Sequence, residues 1–371
     1  MPQGKAEKLI LRIMKVLHVI NYLSDGGGAE KLMEDLLPTI KNSGVDVSVA
    51  VLRDMDTHNS RHIRSHGIEI INIGNGNGLY SVKKMLGLIP VMKRFDVVHS
   101  HLTAPFLFCA LNKYFCRLKL VHTVHSAESR MRRDAILKYL EKWALGRYDK
   151  VIACSAAAER SLKSFVGEYC DNIITINNGI LLDKFFNAEP LPLKKSADER
   201  IIMMVAVLRP PKDHEVVLKA MKLLPSNFIA YFVGYGGLLD EMKSRTIALG
   251  LEKRVHFLGK RTDIPNLLKS SDFIVLASHF EGLSLSSIEG MAAGKPFIAS
   301  DVSGLHDVVN GFGELFEDGN AEQLANIIMR LANDPQEYNR VANRCLERAK
   351  EFDIEKMAES YISVYKSLVE D

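Results

Sequence analysis

The 371-residue chain holds only five cysteines and one tryptophan. No apolar run approaches the roughly 20 residues that a membrane-spanning helix needs. The cysteines, Cys109, Cys116, Cys154, Cys170 and Cys345, are odd in number, and none has the C-x-x-C spacing. This argues against a disulfide scaffold and leaves reduced thiols that fill core, as in a cytoplasmic protein. Met1 to Arg12 is basic, but it lacks the apolar stretch and small-residue cleavage site of a secretory signal. Residues 1–13 are therefore expected to be an extension ahead of the first strand. A strong excess of one charge is also missing. Lys and Arg number 48 against 45 Asp and Glu, a net charge of +3, so no nucleic-acid partner is expected. No low-complexity tract and no short sequence repeat interrupts the chain.

What is present is a soluble globular composition, 47% hydrophobic and 25% charged, in a chain long enough for two domains. The charge is uneven. Through Pro190 there are 26 basic and 19 acidic residues; beyond it there are 22 and 26. A basic first half suits an anionic acceptor or an acidic membrane surface there; ordinary scatter of solvated charge is the alternative.

Short runs rich in Val and Ile alternate with amphipathic stretches. Val16–Ile20, Val45–Leu52, Ile68–Ile73, Val97–Ser100, Leu120–His125, Lys150–Cys154 and Ile173–Ile176 read as strands, with helices such as Ala29–Lys41 and Asp134–Leu145 between them. Pro190, Pro192 and a charged run break the rhythm over residues 187–200, which read as a linker. The alternation then restarts with Ile201–Val207, Phe228–Val233, Val255–Leu258, Phe273–Ala277 and Pro296–Ala299. The pattern predicts an α/β protein of two doubly wound, Rossmann-like domains facing across a cleft, residues 14–186 and 201–350. Residues 351–371 carry a last helix expected to cross back to the first domain. Ligands of such sheets bind outside the carboxyl ends of the strands.

The strongest site signal is the stretch from His279 to Met291. Glu281 falls just after a strand. Glu289 is expected about two turns into the next helix. Backbone N–H groups around Gly282, Leu283, Ser284 and Leu285 would face an anion, while the two carboxylates suit hydroxyls flanking it, as on a ribose and a sugar. At another strand end, Arg209 and Lys212 are placed to clamp a diphosphate; a basic loop capped by Asp213 is the plainer reading. Gly27 and Gly28 open a helix after the first strand, as a close approach to ligand or as a tight turn. Gly234 to Gly237 read more simply as a turn, and Gly259 ends a strand near where a base would sit.

His101 and His125 are expected to face the cleft, with His99 and His122 beside them; for each alone, a hydrogen-bonded structural histidine is the commoner outcome. His58, His62 and His66 share a helix face, but interleaved Arg61 and Arg64 disfavour a metal, and Asp54-Met55-Asp56 reads as a solvated loop. The segment from Lys83 to Arg94 is apolar with basic ends. It suits either a membrane surface or packing on its own sheet.

From Met14 onward the chain resembles the retaining glycosyltransferases of family 4, GT-B fold (glycosyl transferases group 1). The likeness is strongest over Val255–Gly259, Ser271-Asp272, Ser278, Glu281-Gly282-Leu283, Glu289 to Pro296 and Gly304-Leu305. Weaker landmarks are Gly27 to Glu30, His125, and Asn178-Gly179-Ile180 with Asp183 and Phe185. The resemblance implies that Glu289 binds the donor ribose and Glu281 a sugar hydroxyl. Arg209 and Lys212 would neutralise the diphosphate, His125 would touch the sugar, and Gly27 or Gly28 would approach the phosphates. It implies no metal and no cofactor, a nucleoside-diphosphate sugar as donor, and a saccharide or lipid-linked saccharide acceptor in surface polysaccharide or glycolipid assembly at the inner membrane face. The family often has Arg where this chain has Val207. Arg209 replaces that cation only if the strand continues past Leu208. A nucleotide-sugar 2-epimerase and a non-catalytic sugar-nucleotide binding protein share the architecture and remain the rival readings.

Overall fold

The structure is a computed structural model that describes residues 13–25, 27–74, 76, 78–126, 129–167, 172–194 and 196–370. Residues 1–12 of the expected extension, Gly26 of the glycine cluster, Cys170, Lys195 of the linker and the terminal Asp371 lie outside the described residues.

Strands β1 (Lys15–Ile20), β2 (Asp46–Val51), β3 (Glu69–Asn72), β4 (Val97–His101), β5 (Lys119–Val124), β6 (Lys150–Ala153) and β7 (Ile173–Thr175) form one sheet in the order β3-β2-β1-β4-β5-β6-β7. A second sheet takes β8 (Arg200–Val205), β9 (Phe228–Val233), β10 (Val255–Gly259), β11 (Phe273–Leu276), β12 (Phe297–Ser300) and β13 (Glu314–Phe316) in the order β10-β9-β8-β11-β12-β13. Pairing is parallel from β3 through β5 and throughout the second sheet. Most inner strands are largely apolar runs, as is usual for strands covered by helices on both faces; β4, VVHSH, departs from this with His99, Ser100 and His101. In each sheet the order reverses once, between β1 and β4 and between β8 and β11. Those two points, at the carboxyl ends, are where a doubly wound sheet leaves a crevice.

By contacts, the residues up to Thr123, Tyr139–Val151 and those from Ala358 make one compact unit, and Val124–Lys138 with Ile152–Met357 make another. The last helix, Ile354–Glu370, brings Tyr361 and Tyr365 into the first unit's core, where both rings are fully buried. Within the second unit, Asp353 pairs with Ile180 as an isolated parallel bridge, and a Cβ on Gly179 would lie 2.7 Å from the Asp353 carbonyl oxygen. The Asn178-Gly179-Ile180 landmark is thus a close backbone contact.

Among the described residues, the sequence places twelve of the thirteen strands within two residues of their ends. Three details differ. β13, only three residues long, has too little periodicity to be read. The single helix expected over Asp134–Leu145 is two, Arg130–Arg133 and Leu137–Leu145, because the Asp134 side chain accepts from the Ile136 and Leu137 N–H groups and starts a new helix. β8 stops at Val205 rather than Val207, with a consequence for the site described below.

The histidines of β4 are structural. His99, Ser100 and His101 are fully buried. His99 Nδ1 meets the Tyr365 hydroxyl at 2.6 Å and Nε2 meets Thr123 Oγ1 at 2.7 Å; His18 Nδ1 meets His101 Nε2 at 2.9 Å. Burial pulls the His18 imidazole down to about 3, so it is neutral at pH 7. His122 Nδ1 lies 3.0 Å from Ser100 Oγ. The expectation that His101 faces a cleft is therefore corrected: it stacks on His18 and His99 inside the first unit.

Candidate donor site in the second unit

β11 ends at Leu276, and Ser278 follows, fully buried. Its carbonyl oxygen accepts from Ser300 Oγ at 2.5 Å, which fixes the strand end to the neighbouring β12. Its own hydroxyl donates to Glu281 Oε1 at 2.8 Å. Lys212 Nζ donates to the same carboxylate oxygen. The two side chains are only 20% and 12% exposed, so this ion pair is far less screened than a surface one. Glu281 is thus held in place by a hydroxyl and an ammonium before any ligand arrives.

The helix after this loop runs Leu285–Ala292 with Ser284 as its N-cap. Ser284 and Leu283 are buried, and Gly282 and Glu289 are half-buried. Glu289 lies little more than one turn in, because the helix starts at Leu285, not the two turns expected. Gly290 lets the helix sit on the second sheet: a Cβ there would be 2.6 Å from the Phe297 ring. Gly304 does the same for the loop. A Cβ on it would lie 2.0 Å from the Gly282 carbonyl oxygen and 2.3 Å from that of Glu281. The Glu281-Gly282 turn therefore rests directly on the backbone of helix Ser303–Val309.

The loop after β8 supplies the cation. Leu208 is fully buried and Arg209 N donates to Val207 O at 2.9 Å, so the chain has already turned at Leu208. Arg209 becomes the N-cap of a 3-10 turn, Pro210–Lys212, with its side chain exposed. Of the two cations expected to clamp a diphosphate, Arg209 is exposed and Lys212 is the one paired with Glu281. Behind it, burial first and the Lys212 charge second pull His214 down to about 4. The imidazole is therefore neutral and does not compete with Lys212 for an anion.

The sequence did not reveal what ties these loops together. His279 N donates to Pro211 O at 2.9 Å. The His279 ring lies between two carboxylates, with Nδ1 at 2.8 Å from Asp318 and Nε2 at 3.6 Å from Asp213. Asp213, at a left-handed φ of +38° that Asp tolerates better than most residues, also accepts from Val216 N at 3.2 Å and caps helix His214–Leu223. The turns after β8, β11 and β13 are thus fastened at one point. A histidine beside the Glu281 motif was the only visible signal.

Other expected residues are placed as follows. Gly259 ends β10 at φ +66°, and its carbonyl oxygen accepts from Gly234 N at 2.9 Å. Gly234 and Gly236 bring their turn against the one after β8, where Cβ atoms would lie 2.0 Å from Ala206 O and 2.2 Å from Leu208 O. His125 follows β5, half-buried, and burial lowers it to about 4, leaving it neutral. Gly28 has open space around it, but a Cβ on Gly27 would meet the Glu30 carboxylate at 1.9 Å. Burial raises that carboxyl above its usual range, with hydrogen bonds to its own backbone N–H and to Ser24 opposing the shift. Glu30, unread in the sequence as a site residue, thus lies over the helix start where Gly27 was expected to meet a phosphate. Arg64 and Arg61 pair with Asp54 and Asp56 at 3.1 Å each, and His58 lies 3.3 Å from Glu34.

Two family models match the chain: Glycosyltransferase Family 4 over residues 26–184 and Glycosyl transferases group 1 over residues 186–351. An uncharacterized glycosyltransferase of Methanocaldococcus jannaschii is 25% identical over 364 residues, covering 96% of this chain and 99% of its own. The UDP-Gal:alpha-D-GlcNAc-diphosphoundecaprenol alpha-1,3-galactosyltransferase of Escherichia coli is 29% identical over 318 residues, covering 78% of this chain and 80% of its own. Among solved structures, Anabaena HepE in complex with UDP and glucose superposes with a TM-score of 0.84 at 22% identity, covering 95% of this chain and all of that one. The two matched stretches are separated by one residue and together take in every strand of both sheets except β1. The chain therefore belongs to the family 4, group 1 glycosyltransferases and is a glycosyltransferase of GT-B fold.

Proposed function

We propose that the chain moves a hexose-type sugar from a nucleoside diphosphate to a saccharide or lipid-linked saccharide acceptor, with retention of configuration and without a metal ion. The observation that carries this reading is the Lys212–Glu281 ion pair at the start of helix Leu285–Ala292. A diphosphate entering beside that helix start competes for Lys212, whose point charge then offsets the charge growing on the leaving group. Glu281, released from the ammonium and still held by Ser278, accepts from a hydroxyl of the transferred sugar. Glu289 takes the ribose, and neutral His125 a sugar hydroxyl. Attack on the face from which the diphosphate leaves lets a departing phosphate oxygen take the acceptor proton, so no separate general base is required.

Two comparisons support the substrate classes. The E. coli relative is named for UDP-galactose and a diphosphoundecaprenol acceptor, and the HepE structure holds UDP. Among the described residues no helix is long and apolar enough to cross a membrane. On this reading a lipid-linked acceptor is met by peripheral attachment at the inner membrane face. The test is product analysis with UDP-, GDP- and ADP-sugars, in EDTA and with a lipid-linked saccharide acceptor. The sugar moves to the acceptor at the same rate with or without EDTA. Loss of activity restored by manganese or zinc contradicts the metal-free reading. A donor epimerised with no acceptor present shows a 2-epimerase instead, and a donor bound but never consumed shows a binding protein.

A further inference from the structure

Lys212 is held from both sides by one residue. The peptide before it is fixed by the His279 backbone N–H, which donates to the Pro211 carbonyl oxygen at 2.9 Å. The residue after it, Asp213, faces the His279 ring. Asp213 Oδ2 lies 3.6 Å from Nε2, inside ion-pair range but too long for a hydrogen bond. On the far edge of the ring, Nδ1 lies 2.8 Å and 3.0 Å from the two oxygens of Asp318, in the turn after β13. The ring therefore swings away from Asp213 only by giving up its contact with Asp318. Two residues further along its own chain lies Glu281, the partner of Lys212.

The Lys212–Glu281 pair cannot itself hold the two turns together during sugar transfer. A diphosphate that takes the ammonium breaks the pair, and the carboxylate then turns to a sugar hydroxyl. The contacts of His279 use neither charge, so they survive that exchange. Leu208, earlier in the turn after β8, accepts from Leu238 N at 3.1 Å and is packed by Gly236, but those contacts hold the chain ahead of Arg209 and not Lys212. The Asp213 end of the bridge is rigid. Its side chain is 14% exposed, and it also caps helix His214–Leu223 by accepting from Val216 N at 3.2 Å.

We propose that His279 is a positioning residue for sugar transfer: bridged between Asp318 and Asp213, it keeps Lys212 and Glu281 opposed after the donor has separated their charges. An exposed ion pair adds little to overall stability, and the His279 ring is 44% exposed. Its effect is local. It fixes the residues on either side of the one cation at Glu281, where a small displacement weighs on rate far more than on folding. The inference rests on the reading of Lys212 and Glu281 given above, but its first test uses neither donor nor acceptor, so the two can fail separately.

The test is lysine acylation with acetic anhydride, read for Lys212 by peptide mass spectrometry, with the exposed Lys253 as internal reference. Lys212, 20% exposed and paired with Glu281, is acylated slowly in the wild type. His279→Ala keeps the backbone bond to Pro211 and so isolates the ring. In this variant Lys212 is acylated at least ~5-fold faster while Lys253 is unchanged. Asp318→Ala acts in the same direction, and the double variant adds nothing to His279→Ala, because both changes remove one bridge. Both side chains are partly exposed, at 44% and 39%, so the fold is retained, and a melting temperature near that of wild type verifies it. In sugar transfer, kcat of His279→Ala falls at least ~10-fold. Wild-type labelling of Lys212 in His279→Ala overturns the proposal. So does a rise shared with Lys253, and so does a wild-type kcat in a variant whose Lys212 has become reactive.

Discussion

Glu281→Ala lowers kcat/KM for sugar transfer by about 10²–10³-fold, the loss typical when one aligned polar contact to the transition state is removed. The fold loses far less. The Lys212–Glu281 pair is only partly shielded, and without the carboxylate Lys212 can turn toward water, so the stability cost is about 1–3 kcal/mol. Two readouts separate these effects: steady-state kinetics at saturating acceptor, and thermal melting of the same preparation. Glu281→Gln adds a finer test. Its amide oxygen can still accept from Ser278 but no longer holds an ammonium. Melting near that of wild type with turnover still depressed places the charge of Glu281 in the reaction. A wild-type rate in both variants removes Glu281 from the site.

Gly304→Ala has the second large effect, although the residue carries no functional group. Its new methyl would start 2.0 Å from the Gly282 carbonyl oxygen. Such atoms do not approach closer than 3.0 Å, so the Glu281-Gly282 turn must move by about 1 Å. A displacement of that size at an aligned group costs about 10²-fold in rate. Overpacking costs about 1–3 kcal/mol of stability as well. The expected signature is a variant that melts lower but stays folded at assay temperature, with kcat depressed more than the melting shift explains. Unchanged kcat would mean that the turn is not held by helix Ser303–Val309 during turnover.

Much of this architecture is legible in the chain because parallel strands buried on both faces are mostly apolar. Runs such as Phe228–Val233 and Phe273–Leu276 therefore announce themselves. Glu281 and Glu289 are legible for a different reason: both belong to one contiguous motif at one strand end. What failed to show depends on local geometry or on distant partners. The end of β8 could not be read because Val205, Ala206 and Val207 are equally good strand residues. The turn is decided by burial of Leu208 and by Gly234 and Gly236 packing against it from 28 residues away. The fate of Arg209 followed from that. His101 looked like a cleft residue because polar groups at a strand end usually are. Its actual partner, His18, is 83 residues earlier and on another strand. Asp213, His279 and Asp318 come from three separate turns, and no spacing in the sequence connects them. Glu30 was overlooked because a carboxylate folding back on its own helix start looks, in sequence, like any first-turn acid.

The most direct measurement is the structure of this protein crystallised with a UDP-sugar. The expected complex has the diphosphate within hydrogen-bond distance of Lys212 and of backbone N–H groups at the start of helix Leu285–Ala292, a ribose hydroxyl on Glu289, and a sugar hydroxyl on Glu281 in place of the ammonium. A nucleotide bound elsewhere, with Lys212 still paired to Glu281, would contradict the account.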